Sequence, residues 1–298
     1  MVVGSSAPAP APALARPADI LELVKARIVG LVLVTVAAGF TAASLGGIDL
    51  LLLVHTLFGT ALVAAGTNAL NQVVERDADA RMRRTAERPL PAGRMAVGPA
   101  TLGAWMAGAL GVGYLAMLVN ATTAALAALT LLSYVCVYTP LKQKTTLATL
   151  VGAVPGALPI VGGYAAAGGR LGVEALVLFA ILFLWQLPHF LALAWIYRDE
   201  YANAGFRMLS ADDPDGRLTF QHAMLYAAAL VPASLAPTLV GMTGSVYFWG
   251  ALVLSSVLLW AAITAVRRPS RLAARRLFRV TIFYLPGLLA LLMLNPGL

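Results

Sequence analysis

Residues 68–91 read NALNQVVERDADARMRRTAERPLP. Four acids and five arginines fall in this stretch, between apolar runs over about 50–74 and 97–118. An apolar run of about 20 residues that ends in dense charge is the pattern of a helix leaving a bilayer. The stretch therefore decides the fold class, because it reads as an exit from a membrane rather than as one face of a soluble helix.

The rest of the chain agrees. Of 298 residues, 60% are hydrophobic and 11% charged, against roughly 25% charged in soluble domains. The apolar runs lack the alternation of a membrane β-barrel. Nine of them are found, over about 24–44, 50–74, 97–118, 121–138, 148–168, 172–196, 220–242, 246–266 and 277–295. The expectation is an all-α integral membrane protein of nine transmembrane helices. The formal charge of +8 is then explained by loop arginines that set topology, and no nucleic-acid partner is expected. The single cysteine, Cys136, lies in an apolar run and reads as a packing residue. The Ala/Pro-rich start lacks the basic-then-apolar order of a cleaved signal. Residues 1–16 are expected to form a disordered tail, and residues 17–298 one membrane domain.

Basic residues fix the expected orientation. With the N-terminus in the cytoplasm, the inside segments hold Arg16, Lys25, Arg27, the run Arg76 to Arg94, Lys142, Lys144, Arg198, Arg207, Arg217 and the run Arg267 to Arg279. The outside segments hold only Arg170. This asymmetry predicts an N-in, C-out chain whose polar chemistry lies on the cytoplasmic face.

Within the opening stretch, Asn71, Glu75 and Asp79 stand at i, i+4 and i+8 and share one helix face, while Asp77 points away. Asn68 extends this column of oxygens toward the bilayer, where polar groups are costly and usually functional. Carboxylates at a helix C-terminus also oppose its dipole. A hard cation such as Mg²⁺ removes that conflict and typically bridges to substrate phosphates. Arg83, Arg84, Arg88 and Arg94 follow at once, and guanidinium groups suit phosphate oxygens. Positive-inside topology accounts for the same arginines, so spacing alone leaves both readings open.

A second polar stretch closes the sixth run. Gln186 and His189 lie inside it, and Tyr197, Arg198, Asp199, Glu200 and Tyr201 end it. Pro188 frees a backbone carbonyl and predicts a kink. Asp199 and Glu200 are candidates for the other half of a two-sided metal clamp. A third stretch, YTPLKQKTT at 138–146, brings Lys142 and Lys144 to the same face as phosphate or anionic-lipid donors.

Together these stretches resemble the UbiA superfamily of intramembrane prenyltransferases and, within it, the branch that farnesylates heme. The resemblance rests on Asn71, Glu75 and Asp79, on MRRTAERPLP at 82–91, YTPLKQKT at 138–145 and WQLPHF at 185–190, and on YRDEYANAGFRML at 197–209 and LFRVTIFYL at 277–285. The opening LVKARIVGLVLVTVAAGF also fits, so that coverage runs from Leu23 to Leu285. Two departures stand out. Glu75 occupies a position where many members carry Asp, and the second motif is poorer in aspartate than in quinone-type members.

The resemblance implies nine helices around a central cavity, capped by the polar loops after helices two and six. It implies transfer of the farnesyl group of farnesyl diphosphate to a vinyl carbon of heme b, with addition of water, to give heme O. Asn71, Glu75, Asp79 and Asp199 would be catalytic. Mg²⁺ would lie on Glu75, Asp79, Asp199 and Glu200, with Asn71 assisting. Asn68, Arg83, Arg84, Arg88, Lys142, Lys144, Gln186, His189, Tyr197, Arg198 and Tyr201 would contact substrate. Trp185, Phe190, Tyr197 and Tyr284 are candidates to face a farnesyl cation, each with plain packing as its rival role. The implied surroundings are a bacterial inner membrane, an active site facing the cytoplasm, and a heme A synthase or terminal oxidase as recipient of the product. Two other readings remain open from sequence: a prenyltransferase acting on a quinone or chlorophyll precursor, and a cation-coupled transporter.

Overall fold

The computed structural model describes residues 16–44, 46–295 and 297. The tail expected over 1–16 lies outside the described residues except for Arg16, which precedes the first helix. Every regular element among the described residues is helical: α1 (Pro17–Leu23), α2 (Ala26–Ala43), α3 (Leu50–Asp79), α4 (Val97–Leu118), α5 (Ala121–Leu132), α6 (Thr139–Leu141), α7 (Ala148–Ala166), α8 (Val173–Ile196), α9 (Arg198–Asn203), α10 (Arg217–Leu239), α11 (Ser245–Arg267) and α12 (Arg271–Leu294). A π-helical segment, Ser133–Tyr138, joins α5 to α6, and the three form one span, Ala121–Leu141. Among the described residues nine helices are long and apolar enough to cross a membrane. Many of their large apolar side chains face outward, including Leu31, Trp249, Trp260 and Phe283. Water would penalise such a girdle, whereas lipid tails match it.

Helix α3 shows how the span pattern builds a site. Asp49 caps it by accepting from the Leu52 amide at 2.9 Å. Its 30 residues run about 45 Å at 1.5 Å per residue, well beyond a hydrocarbon core of about 30 Å. Its last turns therefore carry Asn71, Glu75 and Asp79 to the charged end of the bundle. Helix α12 begins at Arg271, earlier than the apolar run suggested, because Ser270 caps it from outside (Ala273 amide to Oγ, 3.1 Å) and arginine is a good helix former.

Packing divides the bundle. Helix α3 packs chiefly on α4, α2 on α7, and α8 on α10, α12 and α7. The largest buried cluster spans α7, α8, α10, α11 and α12 and reaches α2 at Ala38, with Tyr247, Phe220 and Tyr284 fully enclosed. Between α2 and α7 the backbones nearly touch. A Cβ on Gly39 would overlap the Ile160 carbonyl, and one on Gly163 would overlap the Val36 carbonyl. Small residues at such crossings give the van der Waals contact that holds helices together in lipid.

Candidate active site at the charged end of the bundle

Asn71, Glu75 and Asp79 are 1%, 5% and 1% exposed. Carboxylates this deeply buried must be paired, and Asn71, Glu75 and Asp79 each meet a basic side chain. Lys25 Nζ donates to Asn71 Oδ1 at 2.7 Å, Lys142 Nζ to Glu75 Oε1 at 2.7 Å, and Arg88 Nη1 to Asp79 Oδ2 at 2.6 Å. Asp77 turns outward and pairs with Arg76 at 2.8 Å. Asn68 is buried and makes no side-chain hydrogen bond among the described residues. Three basic groups thus converge on two carboxylates and one amide, from three separate segments of chain.

Each segment has its own positioning device. Lys25 sits between α1 and α2 with φ 52 and ψ 57, and among the described residues it is the sole non-glycine with positive φ. That conformation costs about 1–3 kcal/mol and persists where the surroundings enforce it. Here Gln72 enforces it, donating to the carbonyls of Glu22 and Leu23 at 2.9 and 2.7 Å. Burial and the like charge of Arg88 pull the Lys25 ammonium down to about 7, against the pull of Glu75.

Arg88 is carried by the turn after α3, where Thr85 Oγ1 donates to the Asp79 carbonyl at 2.8 Å. Lys142 follows the π segment, whose wider turn brings the Tyr134 and Tyr138 rings edge to face at 4.9 Å. The Lys142 ammonium lies 4.6 Å from the Tyr138 ring centre. Burial works against that ammonium, but Tyr138 and the Glu75 carboxylate hold it well above the ordinary lysine range. Thr139 Oγ1 accepts from Asn71 Nδ2 at 3.2 Å.

The second acidic stretch approaches differently from the expectation. Tyr197 breaks the helix, and α9 then presents Glu200 and Tyr201 to the turn after α3. Glu200 Oε2 accepts from the Arg84 amide at 3.3 Å. The Arg84 guanidinium lies 5.1 Å from the Tyr197 ring centre and 5.9 Å from that of Tyr201. Arg81 Nη2 donates to the Ala204 carbonyl at 2.8 Å, while Met82 and Phe206 pack together beneath. Two loops far apart in sequence are thereby joined over the column.

Asp199 does not take part in this junction. Its side chain is 83% exposed beside Arg198 at 3.6 Å, in a shallow pocket lined also by Asp215 and Arg271. Neighbouring residues on a helix point about 100° apart, so Asp199 and Glu200 cannot both face the column. Among the described residues no three His, Cys, Asp or Glu side chains converge to hold a metal. The four-carboxylate clamp expected from sequence is therefore not assembled.

Other expected contacts are spent elsewhere. Arg83 and Lys144 are exposed. Arg198 donates to the Pro214 carbonyl at 3.2 Å and stacks on Trp195. Gln186 donates to the carbonyls of Leu182 and Ala153, and α8 continues through Pro188. Tyr284 bonds to Ser234 and Ser255 in the core, which gives it a packing role. Trp185, His189 and Phe190 remain grouped on α8. The residues that sequence reading left out are Lys25, Arg81, Tyr134, Tyr138 and Thr139. Lys25 read as a topology signal, and only the break between α1 and α2 turns it inward.

The chain matches the model of the UbiA prenyltransferase family over residues 32–287. It is 46% identical over 287 residues to a protein named protoheme IX farnesyltransferase from Koribacter versatilis, with 93% of each chain covered. Its fold is similar to that of a digeranylgeranylglyceryl phosphate synthase, with TM-score 0.79, 16% identity, and 93% and 97% of the two chains covered. It is similar also to a UbiA homologue from Archaeoglobus fulgidus bound to GPP and Mg²⁺, with TM-score 0.66, 16% identity, and 92% and 99% covered.

Proposed function

The chain belongs to the UbiA prenyltransferase family, and from that premise we propose that it transfers the farnesyl group of farnesyl diphosphate to a vinyl group of heme b, with addition of water, to make heme O. The observation that carries the chemistry is the convergence of Lys25, Arg88 and Lys142 on the buried Asn71–Glu75–Asp79 column. The heme acceptor is supported by the name of the 46%-identical relative. Multi-pass membrane residence follows from the nine apolar helices. The distribution of basic residues supports a bacterial inner membrane with the site facing the cytoplasm.

The reaction breaks the bond between farnesyl C1 and the diphosphate oxygen, and the bonding pair leaves with the diphosphate. The terminal vinyl carbon of heme then bonds to C1. The adjoining carbon becomes cationic beside the pyrrole, water bonds to it, and a proton is lost. Negative charge builds on the diphosphate as it leaves. Arg88 and Lys142 supply fixed positive charge there, and the negative diphosphate keeps Lys25 protonated beside them, in a site shielded from water. Arg84, with Tyr197 and Tyr201, joins the two loops beside it.

Mg²⁺ is the implied cofactor, and the donor set fits it in a particular way. Glu75 and Asp79 each give one oxygen to a cation, and among the described residues nothing donates to the other oxygen. Two carboxylates and nearby amide oxygens suit a hard ion that completes its shell with water and substrate phosphate. Glu75 and Asp79, with Asn71 beside them, would hold the ion. When bound it supplies a Lewis acid on the phosphate oxygens. Product handover to a heme A synthase or terminal oxidase is part of the same proposal.

The test is incubation of membranes containing the protein with heme b, farnesyl diphosphate and Mg²⁺, followed by mass spectrometry of the extracted heme. Heme O above an empty-membrane control is expected. Its absence would contradict the proposal.

A further inference from the structure

His189 lies on α8 seven residues before the helix ends at Ile196, a depth of about 10 Å at 1.5 Å per residue. Its Nδ1 is 2.8 Å from Thr281 Oγ1 on α12. The same hydroxyl oxygen is 2.6 Å from the Phe278 carbonyl oxygen. A carbonyl has no proton to give, so the Thr281 hydroxyl donates there and meets His189 as an acceptor. Nδ1 therefore carries the ring proton. A second proton on Nε2 would place a full charge in an apolar span, where no His189–carboxylate pair is found among the described residues. The ring is the neutral tautomer with its lone pair on Nε2.

That lone pair is unused. Nε2 has no partner among the described residues, yet it is not one of the sealed polar atoms. The direction in which it points is fixed. Trp185 stacks on the ring at 5.1 Å and 27°, and Phe278 packs on it at 4.7 Å. Trp185 Nε1 donates to the Thr281 carbonyl at 2.9 Å, so ring and clamp are both anchored on one fully buried threonine. Imidazoles that bind metals almost always donate their other N–H to an oxygen, which sets the tautomer and holds the ring in place. The Nε2 lone pair is accessible and has no protein donor among the described residues, so it is free to take such a ligand.

We infer that His189 ligates the iron of the heme acceptor through Nε2, with Thr281 as the positioning residue behind it. The inference rests on the heme reading above and adds a point of attachment to it. Ligation at iron leaves the porphyrin edge free, so a vinyl group can meet farnesyl C1 while the macrocycle is held by its centre. A base for the incoming water is the rival use of the same lone pair, and it would leave the spectrum of bound heme untouched.

The experiment titrates ferric heme b into purified wild type, His189→Ala and Thr281→Val and reads the absorption spectrum, then reduces each complex and reads its resonance Raman spectrum. A nitrogen-ligated spectrum is expected for wild type, lost in His189→Ala and restored by added imidazole. Thr281→Val should keep the ligand but bind heme about tenfold more weakly and lower the ferrous iron–nitrogen stretching frequency. A bound-heme spectrum unchanged in His189→Ala overturns the ligation while the heme reading stands. Should His189→Ala fail to fold, unchanged affinity and stretching frequency in Thr281→Val overturn it instead. Wild-type protein that binds no heme overturns both.

Discussion

Glu75, Asp79 and Asp199 are three carboxylates with the same chemistry and different surroundings. Glu75 and Asp79 are buried against Lys142 and Arg88, whereas Asp199 is open to solvent. Glu75→Gln and Asp79→Asn should each lower turnover about a hundredfold, the usual cost of losing one electrostatic contact to a reacting group. Asp199→Asn should stay within about twofold, as exposed substitutions do. Initial rates of heme O formation check all three, and equal losses would refute the placement. Lys25→Met should behave like the first pair, because it removes one of three positive groups. The column was legible in the sequence, since i, i+4, i+8 spacing follows from helix geometry alone. Lys25 was not, because its inward turn depends on a left-handed backbone that no spacing rule encodes. Nor could spacing tell Asp199 from Glu200, since the break at Tyr197 sets which of them meets the turn after α3.

At the scale of elements, two devices bring distant groups together. The π segment 133–138 carries one residue more than an α-helical turn needs. Deleting Cys136 should restore α-helical winding and leave Lys142 facing Glu75, with turnover within about twofold, because the wide turn only absorbs the extra residue. Inserting one alanine after Tyr138 should instead rotate Lys142 by about 100° and lower turnover about as far as Glu75→Gln. The other device is the contact of α2 with α7. Gly163→Leu should force the two backbones apart and destabilise the protein by about 1–3 kcal/mol, read as a lower melting temperature in detergent. Apolar runs made the span limits readable to within a few residues. They failed at α12, where Arg271 to Arg279 hydropathy says loop but the Ser270 cap and arginine propensity give helix.

For the whole molecule, the proposed N-in, C-out orientation predicts which loops each compartment can reach. In a Cys136→Ser background, Lys144→Cys should react with an impermeant maleimide only from the cytoplasmic side, and Arg170→Cys only from the other. The reverse pattern would invert the protein and move the site to the outer face. Fold class and family were legible because both rest on long patterns, namely nine apolar runs and several motif blocks. Pairing of loops over the site was not, because it depends on side chains such as Arg81 and Arg84 that topology alone also explains. The most direct test of the central claim is the mass of the heme produced by purified protein from heme b, farnesyl diphosphate and Mg²⁺, with Glu75→Gln run in parallel. Heme O from wild type, reduced about a hundredfold in the variant, is the predicted result. No heme O from wild type, or equal amounts from both, would contradict it.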